Sequence, residues 1–457
     1  MSLRLLLADP KGTVVEHPYL LATLRSGEGL IAAHGRPIAL PKDGKLVHLP
    51  GRLPVGVDPR TGELELVRHF SLGGKPFVPH AVGALLPPGY TRTFLPGEVK
   101  DEGGPVLPQW AYTAAAWGEG RAVTWAVHTD RRKHWTPTAY STPEIKARVN
   151  AHLARFPDNK VLKQLKTCAL VYRCFTSQNV FYCRDEGAIP ASTMCNAACI
   201  GCISEQPAEG PPSSHQRMDE GVGGEEMGQV GLFHLQNAPG RTMVSFGQGC
   251  EGEPLTRWRQ IAQAIGYIRE RTSRGSININ TNASLTQGLS ALYDAGLDAV
   301  RVSLNSADPD LYAAYYQPDK YSWHDVEASI ALSRDKGAYL ALNLLLFPGV
   351  TDRRGEADAL KRLVKKYRVD QVQTRSLAID PLQYIEVAHE RGAGGEPIGI
   401  PQLLRELKDA RPQLVIGNFA RGLGERRGSS KNKRDSRQRG KARVPHETRT
   451  IPVSKRS

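Results

Sequence analysis

The stretch CNAACIGC, from Cys195 to Cys202, places three thiols at C-x3-C-x2-C on a short loop that follows a strand-like run. Thiolates are soft ligands suited to zinc or to iron–sulfur clusters. The small intervening residues and Gly201 let the loop wrap one centre, and three thiolates leave its fourth coordination position open. Two readings stand at this point. A zinc site would need a nearby fourth ligand such as His215, whereas a cubane cluster with one open iron could bind something else there.

Outward from this loop, strand-like and helix-like runs alternate, as a parallel α/β fold requires. The strand candidates are IPASTM, TMVSFG, SININT, AVRVSL, YLALNLLLF and DQVQTRS, six in all. Between them, Trp258, Ile261, Ile265 and Ile268 form one helical stripe, and Leu360, Leu363, Val364 and Tyr367 another. The strands are two-faced. Ile277 and Ile279 alternate with Asn278 and Asn280, Val300, Val302 and Leu304 with Arg301, Ser303 and Asn305, and Gln371, Gln373 and Arg375 share a face. The apolar set can pack under helices while the polar set faces inward. A filled barrel interior is aliphatic, so a polar one points to a wider, ligand-filled barrel or to a sheet with one solvated surface.

With the strand before it, CNAACIGC resembles the cluster loop of the radical S-adenosylmethionine superfamily. That resemblance implies a 4Fe–4S cluster on Cys195, Cys199 and Cys202, with the amino and carboxylate groups of S-adenosylmethionine on the fourth iron. SFGQGCEGEPL resembles the superfamily's Gly-Gly-Glu-Pro element, with Gly252, Glu253 and Pro254 matching and Glu251 in place of the first glycine. A cationic amine needs acceptors, and glycine permits close backbone approach. INTNASL offers Asn280 and Asn282, and VRVSLNS offers Ser303 and Asn305, as ribose or carboxylate contacts. Pro348, Gly349 and Val350 resemble the loop behind the adenine, and Arg375 could pair with a carboxylate of cosubstrate or substrate. Gly201 stands where many members carry an aromatic, which loosens one adenine contact.

The resemblance covers about residues 189–385. It implies a partial (β/α)6 TIM-like barrel with its site at the carboxyl ends of the strands. It also implies a reaction in which a reduced cluster cleaves S-adenosylmethionine to a 5′-deoxyadenosyl radical, with a reductant such as flavodoxin or ferredoxin as partner. An iron–sulfur sensor or scaffold without turnover is the alternative; it would have no need of the GEP element or the polar strand ends.

The flanks are read from composition. The division expected is a β-rich accessory domain over 1–140, a helical Cys-containing connector over 141–187, the (β/α)6 core over 188–395, a C-terminal segment over 396–424 and a disordered basic tail over 425–457. The tail holds twelve Lys/Arg against three Asp/Glu, nine of the chain's fourteen net positive charges. It is either a solubilising end or a salt-sensitive grip on RNA. The substrate is unknown, a peptide or protein and an RNA being the two classes left open. The loop from Ser204 to Gln229 is acidic, rich in Gly and Pro, and expected to be a mobile lid.

All seven cysteines lie between positions 168 and 250, an odd and clustered set that speaks against a secreted disulfide framework. With no apolar run of membrane-spanning length and no signal-like start, a cytoplasmic location and no membrane partner are expected. Cys168, Cys174 and Cys183 could hold an auxiliary cluster or be idle thiols. Cys250, between Gly249 and Glu251, could return a hydrogen atom to a substrate radical, ligate a second cluster, or fill a turn.

Overall fold

The computed structural model describes residues 3–131, 135–208, 210–218, 221–391 and 394–423. The basic tail at 425–457 lies outside the described residues.

Seven parallel strands form one sheet in sequential order: Glu186–Ile189, Met243–Phe246, Ser276–Thr281, Ala299–Leu304, Tyr339–Leu346, Gln371–Ser376 and Val415–Gly417. Each pairs in parallel with the next. The first and last are not paired with each other, so the curled sheet is open. Helices supply the crossovers, among them Gly224–Asn237, Trp258–Arg269 and Arg354–Lys366. The helical stripe read from sequence is the buried one: Ile261, Ile265 and Ile268 are fully buried against the sheet, as are Ile277, Ile279, Val300 and Val302 from the strands. Full burial of each such side chain contributes about 1.5–3 kcal/mol.

Two expectations change here. The first strand is Glu186–Ile189, not the IPASTM run. Pro190 has no N–H to give a ladder, and the chain leaves the sheet after Ile189. A seventh strand, Val415–Gly417, joins the sheet from the segment read as lying outside the barrel.

Beyond that strand, residues 418–423 turn under the barrel. Gln371 Nε2 donates to Phe419 O at 2.9 Å and Gln373 Nε2 to Asn418 O at 2.7 Å. Leu423 N then donates to Ser276 Oγ at 2.8 Å, at the start of the third strand. The side-chain amide N–H groups of Gln371 and Gln373 in the lower barrel thus donate to the chain itself.

Residues 4–128 are strand-rich, with a twelve-stranded sheet built mainly on the long strand Val14–Ser26. The hairpin Phe70–Leu72 to Lys75–Phe77 turns through Gly73 and Gly74, both at positive φ, the backbone that a tight two-residue hairpin demands. Three helices follow, Ile145–Arg155, Lys160–Leu170 and Phe175–Tyr182. The sequence reading expected a helical connector here. The third, only eight residues long, hides its pattern because the polar residues Ser177, Gln178 and Asn179 are buried in it.

The N-terminal region docks on the barrel at the carboxyl ends of the strands. The fully buried Arg52 pairs with Asp380 at 2.5 Å. Arg92, also fully buried, donates to Leu377 O at 2.7 Å and Tyr112 O at 2.8 Å and lies over the Phe347 ring. Thr91 bonds Thr374 at 3.0 Å. Gly27 N donates to Pro348 O at 3.0 Å, and a Cβ on Gly349 would lie 1.8 Å from Gly27 N. The Pro348–Val350 loop, expected behind an adenine, is therefore taken up by the N-terminal region; none of its three residues lines the cavity described next.

Candidate active site

A cavity of about 420 Å³ opens at the carboxyl ends of the strands. Cys195, Cys199 and Cys202 line one side of it, Gly252, Glu253 and Pro254 another, and Asn280, Asn282, Ser303 and Arg375 the floor and far wall.

The Cys loop is fixed from several directions. Ala198 N donates to Tyr316 O at 3.1 Å and Ile200 N to Tyr315 O at 3.0 Å, both at the end of the helix Pro309–Tyr316. A Cβ on Gly201 would lie 2.7 Å from the Tyr315 hydroxyl. The space that a side chain at 201 would take is next to Tyr315, which lines the cavity from another element. From the N-terminal region, Gln109 Nε2 donates to Cys202 O at 2.9 Å. Arg217 places Nη2 3.9 Å from Cys202 Sγ and pairs with Glu205 at 2.6 Å. The described part of the acidic loop therefore lies against the Cys loop, with Met218 and Val222 in the core.

The thiols fit the group that the resemblance implies. Burial first, then the neighbouring charges, pushes the Cys199 and Cys195 thiols up. The Cys195 and Cys199 thiols would ionise readily only beside a cation, which bound iron would supply. Zinc with His215 does not fit. His215 packs at a tilt against the Tyr172 ring and is not among the cavity-lining residues. Among the described residues no three His, Cys, Asp or Glu close around a single metal ion.

The GEP turn is packed against the start of the Cys loop. Gly252 N donates to Ser192 O and Glu253 N to Met194 O, at 3.2 and 2.8 Å. A Cβ on Gly252 would stand 1.8 Å from Met194 O, so only glycine fits. The Glu253 carboxylate accepts from Leu255 N at 2.9 Å, Asn282 N at 2.8 Å and the Thr281 hydroxyl. Three of a carboxylate's roughly four acceptor positions are thereby used, and one stays open towards the cavity. Burial pushes its pKa up to about 7. Glu251, absent from the family pattern, accepts from Ala191 N at 2.5 Å, Ser192 N at 2.7 Å and Gln248 N at 2.8 Å, with burial pushing it up to about 8. It ties the end of the first strand to the turn after the second.

The barrel floor is a charged network that the sequence reading assigned only in part. Arg301 pairs with Glu186 at 2.9 Å, both buried, and Glu186 also accepts from Ser245 Oγ at 2.5 Å. Burial alone would raise Glu186; its pairing with Arg301 and the Ser245 bond outweigh this and hold it below the ordinary value. Glu186 escaped notice because the first strand was read as starting at Ile189. Arg375 Nε donates to Asn343 Oδ1 at 3.0 Å. No carboxylate among the described residues forms a salt bridge with it, and burial lowers its pKa to about 10.

Two expected site residues are not among those lining the cavity. Asn305 is buried and donates to Leu311 O at 3.3 Å and the Tyr384 hydroxyl at 3.1 Å. Cys250 sits on the turn whose neighbours Gly249 and Glu251 line the cavity, but its own thiol is hydrogen-bonded to Cys168. A hydrogen-donor role for it has no geometric support, because a donor must reach the reacting atom. Nor does Cys183 join Cys168 and Cys174; its Sγ contacts His152 Nε2 at 3.8 Å.

The Radical SAM superfamily model matches residues 189–360. The chain is 32% identical over 108 residues to the GTP 3′,8-cyclase of Gloeobacter violaceus, across 22% of this chain and 31% of that protein. It is 24% identical over 230 residues to the GTP 3′,8-cyclase of Chlorobaculum tepidum, across 50% of this chain and 62% of that one. It thus spans less than two thirds of each of these relatives. A radical SAM methyltransferase from Sphaerobacter thermophilus superimposes at a TM-score of 0.37 and 14% identity, over 50% of this chain and 65% of that one. The matched segment begins at the last residue of the first parallel strand and contains the Cys loop, the GEP turn and the next three strands, and over it the chain is similar to the radical SAM superfamily.

Proposed function

We propose that the protein binds a 4Fe–4S cluster on Cys195, Cys199 and Cys202 and reductively cleaves S-adenosylmethionine in the cavity at the barrel mouth. The observation that carries this reading is the convergence, on one cavity, of three thiols, the GEP turn and the polar ends of the third, fourth and sixth strands. When bound, the cluster and cosubstrate supply a 5′-deoxyadenosyl radical that takes hydrogen from a substrate. The protein's residues do the placing. The Glu253 carboxylate keeps one acceptor position for a ligand ammonium, while Asn280, Asn282 and Ser303 offer hydrogen bonds to hydroxyl or carboxylate groups. Arg375 presents a guanidinium to a carboxylate or phosphate. The Cys loop walls one side of the site, held from the N-terminal region through Gln109.

The substrate is a peptide or protein, or an RNA, and the electron donor is a flavodoxin or ferredoxin. The N-terminal region stands on the barrel rim, with Trp110 exposed beside the residue that bonds Cys202, which supports a macromolecular substrate reaching the mouth from that side. The GTP of the relatives' names is not carried over, because the similarity spans only part of their length. No described helix is long and apolar enough to cross a membrane, in keeping with action in the cytoplasm.

Anaerobic reconstitution with iron and sulfide, then dithionite and S-adenosylmethionine, tests the reaction. 5′-Deoxyadenosine is the expected product; its absence from fully loaded protein would assign the cluster to sensing or scaffolding. Deleting residues 425–457 and measuring RNA binding across a salt series tests the RNA class. Unchanged binding removes the tail as a reason for it.

A further inference from the structure

Three arginines line the cavity: Arg217, Arg301 and Arg375. Two of them have a counter-charge in place. Arg217 pairs with Glu205 at 2.6 Å and Arg301 with Glu186 at 2.9 Å. Arg375 pairs with no carboxylate among the described residues. Its Nε donates to Asn343 Oδ1 at 3.0 Å, which sets the orientation of the guanidinium. Neither of its Nη nitrogens has an acceptor among the described residues. Both border the cavity, unlike the unpartnered Nε atoms of Arg52 and Arg92, which are sealed in the core. Asn343 lines the same cavity from the neighbouring strand. Its oxygen is taken by Arg375, and its Nδ2 has no partner among the described residues.

The pair therefore offers N–H donors and one uncompensated positive charge. A charge held away from water is costly unless a partner answers it. A guanidinium with both Nη groups free matches a carboxylate or phosphate fork to fork. The cosubstrate is not the ligand that fits. An amino acid carries its amine and carboxylate on one carbon, so an amine at Glu253, on the turn after the second strand, keeps its carboxylate beside the Cys loop. Asn343 and Arg375 stand on the fifth and sixth strands, three and four strand spacings of about 4.8 Å further along the sheet. Shape then separates the two anions. Gln373, the register partner of Asn343, already donates to Asn418 O at 2.7 Å, so chain lies beneath this level of the barrel. A ligand must enter and leave by the mouth. An internal phosphodiester has chain on both sides and would have to fold back inside a cavity of about 420 Å³. A carboxylate at the end of a side chain reaches the same depth with nothing beyond it.

We infer that the substrate is a peptide that inserts an acidic side chain, its carboxylate held by both Nη groups of Arg375 and by Asn343 Nδ2. The inference rests on the reading of this cavity as the reaction space, and it selects the peptide class over RNA. Arg375 and Asn343 are thereby substrate-binding residues, and the Glu253 side of the cavity is left to the cosubstrate.

The test is protection of Arg375 from phenylglyoxal, which attacks a guanidinium through free Nη groups, read by peptide mapping. It uses the full chain, with and without a reconstituted cluster. The probes are N-acetylglutamic acid α-amide, its uncharged isostere N-acetylglutamine α-amide, inorganic phosphate and S-adenosylhomocysteine, at matched ionic strength. The expected result is labelling of Arg375 that the acid slows several-fold more than any of the other probes. Asn343→Asp keeps an acceptor for Arg375 Nε and puts an oxygen in place of Nδ2. It should abolish protection by the acid while S-adenosylhomocysteine binding, measured by equilibrium dialysis, is unchanged. Far-ultraviolet circular dichroism checks the fold, and Asn343→Ser takes the place of a variant that unfolds. The inference is overturned if Arg375 is not labelled in the free protein, if any other probe protects it as well as the acid does, or if the Asn343 variant keeps full protection. Protection by the acid in a loaded protein that forms no 5′-deoxyadenosine would leave this site standing and remove the reaction proposed above, so the two readings fail separately.

Discussion

The side-chain amide of Gln109, in the strand-rich N-terminal region, donates to the backbone carbonyl of Cys202 at 2.9 Å. The last thiol of the cluster loop is therefore positioned by a residue 93 places earlier in the chain. Gln109→Ala removes one hydrogen bond worth about 0.5–1.5 kcal/mol. We expect the protein to fold normally and to lose iron to a chelator several-fold faster, followed as bleaching of the visible band. An unchanged rate would mean that the bond does not steady the loop.

Arg52 and Asp380 join the N-terminal region to the barrel through a buried ion pair. Arg52→Ala strands Asp380 in a buried setting, and breaking such a pair costs roughly 3–5 kcal/mol. A large fall in the urea midpoint is expected, together with loosening of the N-terminal region under limited proteolysis.

Gly252→Ala should be far more damaging than its size suggests. The new methyl would meet the backbone Met194 O at 1.8 Å, with no flexible side chain to give way. We expect failure to hold the cluster on Cys195–Cys202, read as iron content after reconstitution, while an alanine at the unobstructed Gly266 is tolerated there.

Arg375→Met removes a cation that forms no salt bridge with any described carboxylate. Losing a charge-assisted bond to a ligand carboxylate costs roughly 1.5–3 kcal/mol, so the affinity for S-adenosylmethionine or substrate should fall ten- to a hundred-fold with iron content unchanged. Equal affinity for both ligands in the variant would remove Arg375 from the binding set.

The pH dependence follows from Glu251. Burial raises it from its ordinary value of 4.5 to about 8, so the folded state holds its proton more tightly than the unfolded chain. That contribution to stability is complete below pH 4.5 and is lost as pH rises towards 8. Glu251→Gln should flatten the decline of the urea midpoint across this window in part only, since Glu253 behaves likewise up to about 7.

The sequence by itself determined the parallel α/β core and the Cys loop. Strand alternation of period two and helical stripes are local patterns, and C-x3-C-x2-C keeps three ligands within one loop, where chain connectivity alone holds them together. The GEP turn was legible for the same reason. Only the tertiary structure decided what depends on segments far apart in the chain. It placed Tyr315 against Gly201, Gly27 against Gly349, Glu186 under Arg301 and Cys250 beside Cys168. It also added Val415–Gly417 to the sheet, a three-residue strand too short to show a period. Each of these rests on which surfaces the packed core brings face to face, and no spacing along the chain records that.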